Sequence, residues 1–235
     1  MAQHSPIPKL GKRLKAILHQ VNVAQQQQSY DYIWDGCCDH GYLGIHIQAL
    51  HQPQLMLYVD RLSHLTEDLS KRLKYGFKDG FTVITANICD LNFDNHKSHL
   101  MVLAGVGGEQ IINFLESRSL QDFDNIDFIF SPSTGQYELR SYLHSHQFGL
   151  KYETLVTENK RSYEIIYTTR REVSEQSQPQ ISRLGQMWQT DNQDHIQYLT
   201  KLAQHYQNRS RNDLGDHSAL IASQYTAMMS KESVN

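Results

Sequence analysis

The sequence of 235 residues lacks a long apolar run, contains only three cysteines and carries no excess of basic residues. Its longest apolar stretch lies around 100–106 and is far too short to span a bilayer. The amino-terminal region contains lysines and an arginine but no apolar segment typical of a secretory signal. Because three cysteines without such a signal are typical of a reducing compartment, we expect a soluble, cytoplasmic protein with no membrane partner.

The charge balance gives no sign of a nucleic-acid partner. The formal net charge is −3, from 22 basic and 25 acidic side chains, and such a chain produces no broad positive field. Any contact with RNA must therefore come from a local basic patch. Lys9, Lys12, Arg13 and Lys15 lie in the first predicted helix (7–28), where a phosphate-contacting edge and an ordinary solvated face both explain them.

One stretch near the amino terminus predicts a strand, a tight turn and a helix. Aromatic and aliphatic side chains indicate a buried strand over 30–34, which ends at Asp35. Gly36 and Gly41 permit a turn, and helical apolar spacing follows over 42–50. Backbone N–H groups at such a helix start can face a nucleotide-type ligand above the strand end. An ordinary strand-to-helix loop with two glycines is the alternative.

Further strands and helices alternate along the chain. Strands are predicted at 54–60, 81–87, 99–104 and 126–130, with helices after the first, third and fourth of these. Two more strands, 150–158 and 162–169, flank Asn159-Lys160-Arg161 and predict a hairpin. Five strands that alternate with helices, followed by an antiparallel pair, describe an α/β fold: the seven-stranded, Rossmann-like sheet of class I methyltransferases, with one reversed strand.

A polar segment over 170–179 divides the chain into two predicted domains, 1–170 and 171–235. In the second domain, apolar spacing by threes and fours predicts two helices that form an antiparallel coiled coil. The apolar positions are Ile181, Leu184, Trp188, Leu199, Leu202 and Tyr206, then Ile221, Tyr225 and Met228 after a polar turn at 208–215. So thin a pair should lean on the main domain or on RNA. Arg209 and Arg211 are candidate phosphate contacts, or serve solubility alone.

Asp60 ends the second predicted strand and precedes a helix. In dinucleotide-binding and related folds, an acid at this place accepts hydrogen bonds from ribose hydroxyls. A carboxylate suits this role because it offers only acceptors to a vicinal diol. The competing role is a cap of the following helix, and one side chain can fill both.

Two motifs resemble those of the bacterial tRNA (adenine-22-N1)-methyltransferases, the TrmK family. They are D-G-C-C-D-H-G-Y-L, from Asp35 to Leu43, and L-A-G-V-G-G, from Leu103 to Gly108. The stretch from Glu158 to Ile166 is similar to the family's late hairpin, and 131–143 is similar to its segment after the fifth strand. The resemblance covers nearly the whole chain in order, and the family also has a C-terminal pair of helices.

The chain departs from the family pattern at four places. Cys37 stands where the family has glycine, Gly44 where it has proline, and Val106 where it has methionine. Ser131-Pro132-Ser133 replaces Q-P-N, so hydroxyl groups stand where the family offers side-chain amides to the target base.

The resemblance implies S-adenosyl-L-methionine as cofactor and N1 of a tRNA adenine as the methyl acceptor. It also implies that the cofactor is bound by Asp35, Cys37, Cys38, Asp39, Gly41, Tyr42, Asp60, Asn87, Ile88, Ala104 and Gly105. The candidate catalytic residues are Asp39 and His40, which would lie nearest the transferred methyl group. A helix cap or a structural hydrogen bond is an equal alternative for His40.

Other chemistries must be weighed at the same loop. Cys37, Cys38 and His40 are clustered, but adjacent cysteines lack the usual spacing of zinc ligands, so no metal is expected. A nucleophilic Cys38 at a helix start is a further reading. A non-catalytic RNA- or nucleotide-binding protein on a methyltransferase fold, and a small-molecule methyltransferase, are the alternative functions. The oligomeric state is not predicted.

Overall fold

The computed structural model describes residues 7–170, 178–212 and 217–229. Its centre is a seven-stranded sheet in the order β3-β2-β1-β4-β5-β7-β6. The strands are β1 (Tyr32–Gly36), β2 (Leu55–Asp60), β3 (Phe81–Thr85), β4 (His99–Ala104), β5 (Ile126–Ser131), β6 (Gly149–Glu158) and β7 (Arg161–Thr169). The first five strands pair in parallel, and β7 is antiparallel to both of its neighbours. This arrangement confirms the predicted sheet.

The direction of β6 decides where the last hairpin lies. Because β5 and β6 are both antiparallel to β7, β6 runs in the same direction as the first five strands. The turn between β6 and β7 therefore lies at the edge where β1, β4 and β5 end. Its two residues, Asn159 and Lys160, have positive φ of 50° and 64°, as a two-residue type I′ hairpin requires.

Helices cover both faces of the sheet. They are α1 (Lys12–Gln27), α2 (Tyr42–His51), α3 (Ser63–Gly76), α4 (Gly108–Glu116), α5 (Gln136–Ser145), α6 (Gln193–Asn212) and α7 (Ser218–Met229). Successive residues of a strand point to opposite faces. Ile33 of β1 accordingly joins the apolar cluster that contains Ile17 of α1, whereas Trp34 joins the cluster that contains Phe114 of α4. The helices thus complete a core on each side.

The segment before α6 corrects the sequence-based prediction. Residues 178–192 are not helical, although helical spacing from Ile181 through Leu184 to Trp188 indicated a helix. Ile181 instead lies beside the end of α5 and the start of β6, where its N–H donates to the carbonyl of Phe148. It is fully buried in the main core. Its apolar character therefore reflects packing on the sheet domain, and the predicted start of the first C-terminal helix was wrong.

Helices α6 and α7 pack against each other, which confirms the predicted pair. Their contact contains Leu199, Tyr206, Ile221 and Tyr225. Helix α6 continues through the first part of the predicted polar turn, and 213–216 lie outside the described residues. So does most of the predicted linker, 171–177.

The pair packs against α5 of the sheet domain. Contact with the main domain was one of the two possibilities predicted for so small a pair of helices. Tyr137 of α5 meets Tyr206 of α6 edge to face, with 5.6 Å between ring centroids. The Tyr206 hydroxyl also donates to the carboxylate of Glu138 at 3.1 Å. Aromatic pairs of this geometry add to the stabilisation from buried area.

A buried charge cluster underlies this contact. Arg140 is fully buried, and it forms ion pairs with Glu164 at 2.6 Å and with Glu153 at 2.7 Å. The Tyr198 hydroxyl of α6 donates to Glu164 at 2.9 Å, and Arg140 donates to the carbonyl of Ser182 at 3.2 Å. Buried charges need such partners, since removing one partner leaves an uncompensated charge.

Candidate active site

A cleft opens at the carboxyl ends of the parallel strands, where the chain order reverses between β1 and β4. Ligands of open α/β sheets bind at this switch point. The cleft has a volume of about 330 Å³, within the range of small-molecule sites. Its lining residues are Cys37, Asp39, Asp60, Arg61, Leu62, Leu65, Ala86, Asn87, Ile88, Cys89, Val106 and Gln110.

The loop between β1 and α2 forms one wall of the cleft. Cys37, Asp39 and Gly41 have positive φ of 56°, 51° and 67°, so alternate residues adopt the left-handed conformation. The Cys38 N–H donates to the carbonyl of Val59 at 2.9 Å, and the Gly41 N–H donates to the carbonyl of Cys38 at 2.7 Å. The first bond holds the loop against the end of β2, and the second closes a turn within the loop.

Cys37 occupies the place where the family pattern has glycine. The backbone conformation at position 37 explains why glycine suits this place. A non-glycine residue with φ of 56° is strained, because its Cβ crowds the neighbouring carbonyl oxygen. Burial, with smaller contributions from the carboxylates of Asp60 and Asp35, raises the pKa of the Cys37 thiol to about 11. Burial also raises the pKa of Cys38. Both thiols are therefore protonated near neutral pH, which argues against a nucleophilic cysteine.

The Asp60 carboxylate joins the loop to the second strand. One oxygen accepts the Asp39 N–H and the other accepts the Leu62 N–H, each at 3.0 Å. Leu62, not Asp60, is the residue that precedes the first turn of α3, so Asp60 is not the N-cap. Each oxygen of an ionised carboxylate has two acceptor sites. Asp60 therefore retains acceptor capacity toward the cleft that it lines.

Asp35 lies beneath the loop rather than in the cleft lining. Its carboxylate accepts the Gly44 N–H at 2.9 Å. Burial raises the pKa of Asp35 to about 7, although the Gly44 hydrogen bond acts in the opposite direction. A Cβ on Gly44 would lie 2.3 Å from the ring of Tyr58, and proline has no N–H to donate. Position 44 therefore needs a residue that has a backbone N–H and no Cβ. Glycine meets both needs, and the proline of the family pattern meets neither.

The opposite wall is a short 3₁₀ turn over Ile88–Asp90. The Asn87 side-chain oxygen caps this turn by accepting the Cys89 N–H at 3.1 Å. Arg118, at the end of α4, donates to the carbonyls of Cys89 and Leu91 at 2.7 Å each. It also stacks on two phenylalanine rings, Phe93 and Phe114. Sequence reasoning missed Arg118, because nothing in its local pattern links it to a loop so distant in the chain.

The structure brings five predicted site residues together in the cleft lining: Cys37, Asp39, Asp60, Asn87 and Ile88. The other seven predicted site residues are not part of this lining: Asp35, Cys38, His40, Gly41, Tyr42, Ala104 and Gly105. The His40 and Tyr42 rings stack on each other with 5.5 Å between centroids, and His40 Nε2 is 3.7 Å from an Asp39 oxygen. Sequence reasoning had not assigned the remaining lining residues to the site, although Arg61 and Leu62 directly follow the predicted Asp60.

The segment after β5 lies against the segment after β4. The Ser133 N–H donates to the carbonyl of Val106, and the Gly108 N–H donates to the carbonyl of Thr134, each at 2.8 Å. A Cβ on Gly108 would lie 2.3 Å from the carbonyl oxygen of Gly135, so this close contact requires glycine. The hydroxyl-bearing residues that replace the family's Q-P-N thus stand next to the cleft-lining Val106.

Over 7–170, 178–212 and 217–229, no cluster of three or more histidine, cysteine and acidic side chains is arranged to hold a metal ion. Within these same ranges, no helix has both the length and the apolar character needed to cross a membrane.

Comparisons with known proteins agree with this architecture. Residues 10–166 match the family model of a methyltransferase domain. MG248 of Mycoplasma genitalium, named as a candidate tRNA methyltransferase, is 27% identical over an alignment of 160 positions, which covers 61% of this chain and 65% of that protein. The chain therefore aligns with slightly less than two thirds of the length of this relative.

Two crystal structures share the fold. Sp1610 of Streptococcus pneumoniae, described as a candidate tRNA (m1A22) methyltransferase and crystallised with S-adenosyl-L-methionine, gives a TM-score of 0.73 at 19% identity. The match covers 94% of this chain and 100% of that one. The m1A22 tRNA methyltransferase TrmK of Bacillus subtilis gives 0.68 at 16% identity, over 94% and 96%. Matches of this extent include the C-terminal helices as well as the sheet.

The sheet order, the reversed seventh strand and the cleft at the switch point define a Rossmann-like methyltransferase fold. The family model matches more than half of the chain. The protein belongs to the methyltransferase-domain family.

Proposed function

We propose that this protein is an S-adenosylmethionine-dependent methyltransferase that acts on N1 of an adenine in tRNA. The observation that carries the proposal is the cleft, in which the left-handed loop after β1 and the Asp60 carboxylate line one site. The TrmK-like motifs and the activities named for MG248, Sp1610 and the B. subtilis enzyme support the substrate class. Position 22 rests on the same likeness. A tRNA substrate also favours a cytoplasmic location.

The lining residues fit S-adenosylmethionine. Asp60 has acceptor sites left for ribose hydroxyls, as its backbone bonds occupy one site on each oxygen. Asn87 uses its side-chain oxygen to cap the 3₁₀ turn, which leaves its NH₂ group able to donate to an adenine ring. Ile88 and Val106 supply apolar surface. Cys37 and Asp39 remain for the methionine end.

The chain's contribution to catalysis is alignment and charge. S-adenosylmethionine supplies an electrophilic methyl group on a sulfonium sulfur. Adenine N1 already carries a lone pair, so the protein has to orient the base rather than deprotonate it, and orientation can lower a barrier greatly. Asp39 lines the cleft, and in this proposal its carboxylate stabilises the positive charge of the methylated base. His40, beside the Asp39 carboxylate, acts through it.

The target base must reach this cleft from an RNA stem. Enzymes that modify bases extrude them from the stack or use bases that are already unpaired. The segment over 131–134 is joined to the backbone at Val106 and Gly108, so Ser133 and Thr134 are our candidates for contacts with the entering base. These hydroxyl groups can both donate and accept hydrogen bonds. Of the two, Ser133 stands in place of the asparagine in the family's Q-P-N segment.

Two measurements test the proposal. Calorimetric titration with S-adenosylmethionine should show binding in wild type and weaker binding in Asp60→Asn, which retains one side-chain oxygen but loses the charge. Transfer of tritiated methyl groups to total tRNA, followed by nucleoside analysis, should yield 1-methyladenosine, and omission of RNA should abolish incorporation.

Each alternative predicts a different result. A chain that binds no S-adenosylmethionine at high micromolar concentration is not a methyltransferase, and the non-catalytic binding protein would then stand. Incorporation into small molecules without RNA would favour the small-molecule enzyme. Another methylated nucleoside in place of 1-methyladenosine would refute the specificity while leaving the enzyme class intact.

A further inference from the structure

Two chain segments far apart in sequence meet at the edge of the sheet where the cleft opens. Glu158, the last residue of β6, accepts the Lys12 N–H at the start of α1 at 2.5 Å. This contact sets the first turn of α1 beside the β6–β7 turn. It therefore brings Lys12 and Arg13 of the helix next to Lys160 and Arg161 of the hairpin.

These four cations, which we call the edge patch, lie beside the contact between Glu158 and the Lys12 N–H. Lys12, Lys160 and Arg161 are exposed, and Arg13 is half-buried. Within the described part of the chain, none of the four forms an ion pair. The whole chain has a net charge of −3, so the edge patch is a local positive field on a chain that is otherwise acidic.

Arg13 is the innermost member of the patch. Its guanidinium lies over the ring of Tyr163, 4.7 Å from the centroid, a cation–π geometry that fixes a long side chain. A Cβ on Gly105 would lie 3.3 Å from an Arg13 nitrogen. Gly105 has a φ of 84° and directly precedes Val106, which lines the cleft. Arg13 thus holds an unpaired positive charge next to the end of β4.

We infer that the edge patch binds backbone phosphates of the RNA substrate, with Arg13 nearest to the target nucleotide; this inference rests on the proposed function. Phosphate contacts by lysine and arginine supply most of the sequence-independent affinity for RNA. They also fix the position of the nucleic acid on the protein. The patch thereby supplies the local basic surface that the overall charge of the chain requires.

The two hairpin residues of the edge patch are tested with the double variant Lys160→Gly, Arg161→Gln. Glycine suits the left-handed turn position, so the variant should fold. The matched control is Lys74→Gln, Lys78→Gln, which removes the same charge from exposed residues at the far end of α3. tRNA affinity is measured between 50 and 200 mM salt. Loss of two phosphate contacts should lower the slope of log affinity against log salt by about 1.4–1.8.

Between 50 and 200 mM salt, the tRNA affinity of the hairpin variant should therefore fall by a factor about ten times smaller than the factor for wild type or for the control. If the hairpin variant retains the wild-type slope, or if the control loses as much, the edge patch is not the phosphate surface. Wild-type methylation of tRNA would then still uphold the proposed function. If wild type neither binds nor methylates tRNA, both conclusions fall.

Arg13→Gln and Arg13→Lys separate the RNA from the cofactor. The RNA role predicts a higher KM for tRNA in Arg13→Gln, partial rescue in Arg13→Lys, and unchanged S-adenosylmethionine affinity by calorimetry. Weaker cofactor binding with an unchanged KM for tRNA would overturn the assignment of Arg13, since its charge would then serve the cofactor carboxylate.

Discussion

Replacing Cys37 tests the geometry of the proposed cofactor loop most directly. The informative comparison is between Cys37→Gly and Cys37→Ala, because both remove the thiol and only alanine keeps the Cβ. With φ of 56°, a Cβ at this position costs about 1–2 kcal/mol. Glycine has an opposing entropic cost of about 0.5–1 kcal/mol on folding. The glycine variant should therefore be more stable than the alanine variant, by up to about 1.5 kcal/mol.

That order is the reverse of the one at ordinary positions, where glycine is the less stable by about 0.5–1 kcal/mol. For a chain of this size, 1 kcal/mol corresponds to about 2–4 °C in Tm, which thermal unfolding of the two variants resolves. An alanine variant as stable as the glycine variant, or more so, would show that residue 37 does not adopt the left-handed conformation.

The same pair of variants probes the cleft. Cys37 lines it, so removal of the side chain opens space without removing a charged contact. Calorimetry with S-adenosylmethionine should give an affinity for Cys37→Gly that equals or exceeds that of wild type. A marked loss of affinity in the glycine variant, at unchanged stability, would refute the assignment of this loop to the cofactor.

Two further changes test the packing around the cleft. Burial raises the pKa of Asp35 to about 7 in the folded protein, whereas it is about 3.9 in the unfolded chain. The unfolded chain therefore loses this proton first as pH rises. The free energy of unfolding consequently falls between these two pH values. Asp35→Asn keeps an acceptor for the Gly44 N–H. Its stability relative to wild type, measured by urea unfolding, should rise by about 3 kcal/mol between pH 4.5 and pH 8. An equal difference at both pH values would contradict this. Arg118→Gln removes the hydrogen bonds to Cys89 and Leu91 and should cost about 1–3 kcal/mol and weaken S-adenosylmethionine binding. Arg118→Lys should not rescue it, since lysine lacks the paired donors, and full rescue would show that charge alone matters.

Much of the fold could be predicted from the sequence, because local signals and the final architecture agree. β4 is buried from His99 to Leu103 and reads as a central strand. The turn at Asn159 and Lys160 has the residues of a hairpin. The misreading at Ile181 has a physical cause: an extended segment docked on a core needs apolar residues too, and over a few residues their spacing imitates a helix.

The site residues that the sequence could predict are those at or just beyond the ends of strands. Asp60 is the last residue of β2 and Asn87 lies two residues beyond β3, so their positions at the carboxyl edge followed from the strand assignments alone. Asp35 is the next-to-last residue of β1. Its side chain nevertheless turns beneath the loop to meet Gly44, and only tertiary packing decides that. Arg118, two residues beyond α4, and Arg13 of α1 reach the cleft region from parts of the chain that are distant in sequence. No local pattern marks such residues.

The cluster around Arg140 has a consequence for how the two halves of the chain depend on each other. Glu164 belongs to the sheet, yet it shares its charge with a tyrosine of α6, and Arg140 donates to the carbonyl of Ser182 beyond the linker. Separating the halves would leave these groups short of partners in a water-free environment, where each lost partner is costly. The two predicted domains on either side of residue 170 therefore depend on each other for their stability. Strain or truncation in the C-terminal helices would be transmitted, through β7, to the sheet that carries the cleft.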